Sequence, residues 1–206
     1  MSLRIAGRSS SHFTRVVRIF AHELGVEYAF QPVMDLLSQN SDDYLGNPAL
    51  RLPVLESRGE AWYGALNICR ELARRASPPR AIVWPDLPDR EVANAQELVL
   101  QGMSTEVSIV MHKLASPDQT DRYEDKNRRS LQNSLAWLEA KFPSVRARLP
   151  ADRTISFLEV SAYCFLTHLE FRRLIDTTGY AQLSAFVREF DARPSARDTT
   201  YRFDPA

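Results

Sequence analysis

The segment Asn47–Leu55, which reads Asn-Pro-Ala-Leu-Arg-Leu-Pro-Val-Leu, carries the most specific chemical signal in this sequence. A proline cannot donate a hydrogen bond to a strand ladder, so Pro53 within an apolar run indicates a sheet edge or a turn. A cis X-Pro bond is rare, and where it occurs it usually has a purpose. We predict a cis bond before Pro53 that turns the backbone of Leu52 outward, where its N–H and C=O can pair with a peptide-like ligand. An ordinary turn with a trans proline is the alternative.

Composition excludes several classes of protein. The 206 residues are 44% hydrophobic and 25% charged, with a formal net charge of +0, so no bulk attraction to nucleic acid or to an anionic membrane is indicated. No stretch approaches the roughly 18 consecutive apolar residues of a membrane span, and the N-terminus does not resemble a signal peptide. Cys69 and Cys164 are far apart, and no Cys/His cluster has metal-binding spacing. We expect a cytoplasmic protein with reduced cysteines and no bound metal.

The elements that must position Leu52 follow from the periodicity of the first third of the chain. The pattern predicts strands at 3–6, 26–33, 51–55 and 61–63, helices at 13–24 and 66–76, and a possible short helix within 38–46. This order, βαβ-α-ββα, is that of a thioredoxin-like domain, which we assign to residues 1–77.

The remainder of the chain has helical periodicity. Ser77-Pro78-Pro79 begins a linker, assigned to 78–87, because consecutive prolines cannot continue a helix. An all-helical domain is predicted for 88–206. It has helices at 90–114 and 123–142 separated by Pro117, a loop bracketed by Pro143 and Pro150, and a helix near 183–190 that stops at Arg193-Pro194. Ser156 and Glu159 have the spacing of a capping box that opens a buried helix.

Four segments of the chain resemble segments of the glutathione transferase family, and they occur in the family's order along the sequence. The Asn47–Leu55 segment resembles the family's Asn-Pro-x-Gly-Lys-Val-Pro-Val-Leu, and Ser11–Ile19 resembles its Ser-Pro-Phe-x-Arg-x-Val-Arg-x. Ile155–Glu159 resembles its Leu-Ser-x-Ala-Asp capping box, and Phe186–Pro194 resembles its closing helix. The resemblance covers the whole chain and implies a glutathione transferase fold.

The resemblance gives Ser11 the place of the catalytic hydroxyl in serine-type members, where it contacts the sulfur of the co-substrate glutathione. A hydroxyl at a helix N-terminus can donate to a thiolate, and the helix dipole favours the anion. A lower thiol pKa raises the thiolate fraction at neutral pH. Ser11 could instead be only an N-cap, and Ser9 and Ser10 are rivals for the role. His12 replaces the family's proline, and we expect it to be solvent-exposed.

One departure concerns the glutathione site. Where the family has Glu-Ser, which binds the γ-glutamyl amino and carboxylate groups, this chain has Gly64-Ala65. Hydrogen bonds to charged groups contribute about 1.5–3 kcal/mol each, so the loss could weaken binding by about ten- to a hundred-fold. The backbone N–H groups at that helix start still suit a carboxylate, and Asn67 and Glu60 are candidates to substitute in part. By family position Arg51 is a partner for the glycyl carboxylate; an exposed, solvated arginine is the alternative.

The resemblance therefore implies an enzyme that activates glutathione for attack on a small electrophile. The resemblance implies that the electrophile site forms between the domains and is lined by the first long helix of the helical domain. Four residues lie along that helix: Gln101, Met103, Val107 and Met111. Residues at such helical spacing are more often part of the core. A homodimer is implied as well.

A rival function is a catalytically degenerate fold that serves as a binding or scaffold protein, because Gly64-Ala65 lacks the family's side chains. A serine hydrolase is a third possibility, but the chain has no nucleophile-elbow pattern. His112 and His168 have no sequence partner that would form a catalytic dyad.

Overall fold

The computed structural model describes residues 3–115 and 122–205, which form two compact units. The first unit runs to Ala81 and includes the chain from Asp191 onward, and the second unit is Ile82–Phe190. In these described ranges, no helix is both long enough and apolar enough to cross a membrane.

The first unit is built on a four-stranded mixed sheet. Its elements are β1 (Arg4–Gly7), α1 (His12–Glu23), β2 (Ala29–Pro32), a 3-10 helix (Ser41–Tyr44), β3 (Val54–Ser57), β4 (Glu60–Tyr63) and α2 (Ala65–Arg75). The strand order is β2-β1-β3-β4, with β1 parallel to β2 and antiparallel to β3. The predicted thioredoxin-like order of elements is confirmed. β3 begins later than the predicted strand, because Pro53 has no N–H to donate to the ladder.

The core of the first unit consists of apolar side chains that alternate along the strands and recur at helical spacing in α1. Ile5 and Leu55 are fully buried from the sheet, as are Val17 and Phe20 from α1. A smaller apolar cluster forms around Ala6, Val33 and Val54, and Leu45, Leu52 and Ala61 pack against it. Strand alternation thus places apolar side chains inside, where their removal from water stabilises the unit.

The end of the chain folds back onto α1. A short helix, α7 (Pro194–Asp198), begins with a proline at its first turn, the position that tolerates a missing N–H. The Arg15 guanidinium donates to the carbonyl of Ala196 at 3.0 Å and lies 4.4 Å from the ring centroid of Tyr201. Arg193 forms an ion pair with Glu23 at 3.1 Å. The tail is therefore an integral part of the first unit.

The second unit is mostly helical. It contains β5 (Ile82–Val83), α3 (Arg90–Ala115), α4 (Arg122–Ala147), β6 (Ile155–Ser156), α5 (Phe157–Arg172) and α6 (Ala181–Asp191). The parallel pair of β5 and β6 was not predicted, since two-residue strands give no periodic signal. Pro117, the predicted break between α3 and α4, lies outside the described residues.

The prediction that Pro143 ends a helix is wrong, because α4 continues through it to Ala147. Phe142 and Val145 on either side of the proline are fully buried. Burying two apolar side chains contributes about 3–6 kcal/mol, which matches or exceeds the cost of roughly 3 kcal/mol for a proline inside a helix.

The predicted capping serine of the buried helix is confirmed. Ser156 is the N-cap of α5, and its hydroxyl accepts from the N–H of Glu159 at 3.4 Å. The Glu159 carboxylate accepts from Arg146 at 3.0 Å and from Arg153 at 2.8 Å. The start of the central helix is therefore fixed by a cap and by a partly buried charge network.

Candidate functional site

The strand registers bring the predicted site segments to one edge of the sheet. Gly7 pairs with Pro32 at the ends of the parallel strands β1 and β2. On the other side of β1, Ala6 pairs with Val54, the first residue of β3, and Val54 in turn pairs with Tyr63, the last residue of β4. The ends of β1, β2 and β4 and the start of β3 therefore lie at the same edge.

Three connections leave the sheet from that edge. They are the Arg8–Ser11 loop that leads into α1, the Leu52–Pro53 dipeptide that enters β3, and the Gly64–Ala65 step that enters α2. All three belong to the first unit, and each carries residues that we predicted from the sequence to bind a ligand. Their convergence follows from the sheet topology.

Ser11 begins α1 as its N-cap, in extended conformation, and is half-buried. Its Oγ accepts from the N–H of Thr14 at 3.3 Å. Since a hydroxyl has one donor and two acceptor sites, this bond leaves the Ser11 O–H free to donate to a second group. The capping and ligand-binding interpretations of Ser11 are therefore chemically compatible. Ser9 and Ser10 are only 2% and 3% exposed.

The loop before Ser11 approaches α1 so closely that a side chain on Gly7 would not fit. A Cβ on Gly7 would lie 2.5 Å from both Oγ1 and Cγ2 of Thr14. The hydroxyl of Thr14 also accepts from the N–H of Arg8 at 3.4 Å. The sequence pattern gave no reason for this glycine; it allows the strand-to-helix connection to close tightly.

The Leu52–Pro53 bond is cis, as predicted. Pro53 is buried, and the side chain of Leu52 packs against the apolar cluster of Ala6, Val33 and Val54. Leu52 precedes the first residue of the β3 ladder by two positions, so its backbone lies outside that ladder.

Asn47 braces the loop that carries Leu52, a role that sequence reasoning missed. Its side-chain Nδ2 donates to the carbonyl of Arg51 at 2.7 Å, and its Oδ1 accepts from the N–H of Ala49 at 3.0 Å. Asn47 is only 3% exposed. Asparagine side chains commonly form such local bonds with the backbone, so the Asn-Pro opening of the segment was the available signal.

Gly64 and Ala65 lie at the start of α2. Gly64 is the N-cap, with φ +81° and ψ 141°, a conformation that is almost confined to glycine. No side chain caps α2, and the first N–H groups of any helix lack intrahelical acceptors. This helix start can therefore offer backbone donors to an anion, without help from a side chain at position 64.

Arg51 has an exposed side chain. Burial raises the pKa of Tyr44, as do the charges of Asp35 and Asp43, whereas the Arg51 charge opposes them. The positive charge of Arg51 therefore lies near the 3-10 helix, on the loop that precedes Leu52.

The structure corrects the expectation that His12 is solvent-exposed, and it gives His168 an acidic neighbour. His12 is only 1% exposed, because α1 is buried around most of its surface. His168 does have an acidic partner, since its Nδ1 lies 3.2 Å from a carboxylate oxygen of Glu106. The two residues lie on α5 and α3, far apart in sequence, so no local pattern could reveal the pair.

Glu106 is fully buried in the second unit. Burial raises the pKa of its carboxyl well above the usual value, and the charge of Arg172 opposes this effect. Four residues of α3 were predicted to line an electrophile site, and their exposure differs. Met103 is fully buried, whereas Val107 and Met111 are half-buried. Gln101 is exposed, and its side-chain amide donates to Glu97.

Comparison with known families identifies the first unit. Residues 10–75, which span the helix start at Ser11, the Leu52–Pro53 bond and α2, match the model for the glutathione S-transferase N-terminal domain. Residues 10–75 therefore form a glutathione S-transferase N-terminal domain. Comparison with curated protein sequences found no significant match.

Solved glutathione S-transferases have the same fold over nearly the entire chain. One from Methylobacillus flagellatus KT, with GSH bound, is 20% identical with a TM-score of 0.78, covering 98% of this chain and 100% of that one. A family member from Pseudomonas fluorescens Pf-5, with bound glutathione, is 22% identical with a TM-score of 0.79 and the same coverage. A third, from Sinorhizobium meliloti 1021, is 19% identical with a TM-score of 0.73, covering 97% and 92%. At these identities the likeness is one of fold.

Proposed function

We propose that this protein is a glutathione S-transferase that binds glutathione at the edge of its first-unit sheet and activates the thiol for attack on a small electrophile. The observation that carries the proposal is the convergence of three chemically suited segments at that edge. These are the capping hydroxyl of Ser11, the backbone of Leu52 outside the ladder, and the uncapped start of α2. Glutathione-bound structures of the same fold support the choice of ligand.

In the proposed mechanism each segment has one task. The Ser11 O–H donates to the thiolate, while its Oγ keeps the bond from Thr14. The backbone N–H and C=O of Leu52 pair with the cysteinyl part of the tripeptide. The first N–H groups of α2 bind the γ-glutamyl carboxylate, since a helix N-terminus favours an anion. Arg51 is the candidate partner for the glycyl carboxylate.

Rate acceleration would come from the higher thiolate fraction and from positioning of the nucleophile. A hydrogen bond to a charged group contributes about 1.5–3 kcal/mol. Loss of the Ser11 hydroxyl should therefore lower kcat/KM at neutral pH by about ten- to a hundred-fold.

The test is a conjugation assay with glutathione and an aryl halide on four proteins: the unaltered chain, Ser11→Ala, Ser11→Thr and Ser156→Ala. Ser11→Ala should lose activity, and Ser11→Thr should retain part of it because the hydroxyl remains. Ser156→Ala removes an N-cap of the same type from α5, so it reports the cost of a lost cap, about 1 kcal/mol. Equal losses in Ser11→Ala and Ser156→Ala would contradict a chemical role for Ser11.

A second candidate function is a scaffold or binding protein with a degenerate glutathione site. The supporting observation is Gly64-Ala65, which offers no side-chain hydrogen bond at the start of α2. In that case the unaltered chain neither binds glutathione nor conjugates it. Conjugation that Ser11→Ala abolishes would exclude this alternative.

We further propose that the protein is a homodimer that acts in the cytoplasm. Cys69 and Cys164 are buried thiols rather than a disulfide, as a reducing compartment favours. Light scattering at micromolar protein concentration tests the dimer: a mass twice the 23.5 kDa of the chain is expected, and the monomer mass would refute it.

A further inference from the structure

The end of the chain reaches the loop that leads into α1. The Asp204 carboxylate accepts from the backbone N–H of Ser9 at 2.9 Å and lies 3.5 Å from Nε of Arg8. Its side chain is only 3% exposed. A buried carboxylate requires partners that offset its desolvation, and both of these partners belong to the Arg8–Ser11 loop.

Arg8 holds the same loop from a second side. Its guanidinium donates to the carbonyls of Val33 and Met34, at 3.1 and 2.7 Å, on the segment that follows β2. The carbonyl of Arg8 accepts from the N–H of Ser11 at 3.0 Å, which closes the loop as a turn. The backbone that presents Ser11 is thus fixed through Arg8 and Ser9.

The tail that delivers Asp204 is itself anchored along α1. Arg15 binds the carbonyl of Ala196 and stacks on Tyr201, three residues before Asp204. The carboxylate therefore approaches the loop from a segment with fixed contacts.

We propose that Asp204 is a positioning residue for the thiol site, an inference that rests on the function proposed above. By accepting from the Ser9 N–H and pairing with Arg8, Asp204 fixes the turn that aims the Ser11 hydroxyl at the sulfur. The C-terminal tail thereby becomes part of the glutathione site without contacting the ligand. The Arg8 guanidinium balances the carboxylate charge, which would otherwise disfavour a nearby thiolate.

The test compares Asp204→Ala, Asp204→Asn and the matched control Asp198→Ala. Asp198 is an acid on the same tail that pairs with His22 at 3.0 Å on the exposed surface. The readout is the pH profile of kcat/KM for glutathione conjugation, with thermal unfolding recorded for each protein. A purely structural role would lower stability without moving the pH inflection, which reports thiol ionisation.

Asp204→Ala should move the inflection toward the free thiol value of about 8.5 and lower kcat/KM near pH 6.5 on the order of tenfold. Asp204→Asn should recover most of this loss, because its side-chain oxygen can still accept from Ser9. Asp198→Ala should match the unaltered protein. Hydrogen exchange should show faster exchange of the Ser9 amide in Asp204→Ala and not in Asp198→Ala.

Two negative results have different meanings. If the unaltered chain conjugates and Asp204→Ala shows the same pH profile and rate, the inference about Asp204 is refuted and the proposed function stands. The same holds if Asp204→Ala and Asp198→Ala lose activity equally. If the unaltered chain fails to conjugate at all, the proposed function is refuted and the role of Asp204 with it.

Discussion

Restoring a side-chain donor at the start of α2 should strengthen glutathione binding. Ala65 is the first residue of α2 and is 8% exposed. Ala65→Ser adds one hydroxyl to the helix start proposed to bind the γ-glutamyl carboxylate. A hydrogen bond to a charged group contributes about 1.5–3 kcal/mol, so the dissociation constant should fall by about ten- to a hundred-fold. The lower helix propensity of serine costs about 0.5 kcal/mol at most.

Gly64→Glu should separate binding from stability. A Cβ at Gly64 would meet nothing within 4 Å, so no neighbour opposes the first atom of the side chain. The φ of +81°, however, strains any residue other than glycine, at a cost on the order of 1–3 kcal/mol. Gly64→Glu should therefore bind glutathione more tightly and also unfold at lower denaturant concentration.

Calorimetric titration with glutathione measures both variants, and urea unfolding gives their stability. The control is Ala73→Ser, which makes the same substitution in the last turn of α2, away from the sheet edge. It should leave the affinity unchanged. If Ala65→Ser folds normally and binds no better than Ala73→Ser, the start of α2 does not bind the γ-glutamyl carboxylate and that part of the site is wrong.

Three other perturbations follow from the geometry. Asn47→Ala removes the bonds to Arg51 and Ala49, so it should destabilise the chain by about 1–3 kcal/mol and raise the dissociation constant for glutathione in titrations. Burial would raise the pKa of Glu159, but its two arginine partners outweigh this and lower it. Its stabilising contribution is therefore present above the unfolded value of about 4.3 and is lost as pH falls through the lower folded value. Glu159→Gln should accordingly reduce the unfolding free energy at pH 7 by about 1–3 kcal/mol, with a difference that shrinks in acid unfolding series. Gly102→Ala places a Cβ 2.5 Å from the Phe165 ring and should lower stability by about 1–3 kcal/mol in urea unfolding.

Local chemistry in the sequence predicted much of the first unit and the start of one helix in each unit. Pro53 indicated a break from regular strand pairing and a cis bond, because proline imposes backbone constraints wherever it occurs; it lies just before β3. Ser11 and Ser156 were recognisable as candidate caps, because a capping side chain bonds to a backbone N–H only two or three residues away. Such signals lie within a few residues of each other and can be read without knowledge of the fold.

The features that sequence reasoning missed depend on residues distant in the chain. The Glu106–His168 pair joins two helices, and the Asp204 contact joins the end of the chain to the loop after β1. His12 and Pro143 were misjudged because their local preferences were overridden by burial. Tertiary packing determines such outcomes, and one sequence carries no direct record of it.

The measurement that tests the central claim most directly is proton release on binding. Glutathione is titrated into the unaltered chain by calorimetry at pH 7, in buffers with different ionisation enthalpies. If Ser11 and the N-terminus of α1 stabilise the thiolate, binding must release protons to the buffer. S-methylglutathione, which has no ionisable thiol, should bind without this release. Saturable binding at millimolar ligand or below, with release confined to glutathione, is the predicted result. Absence of binding, or binding with the same proton balance for both ligands, would contradict thiol activation at this site.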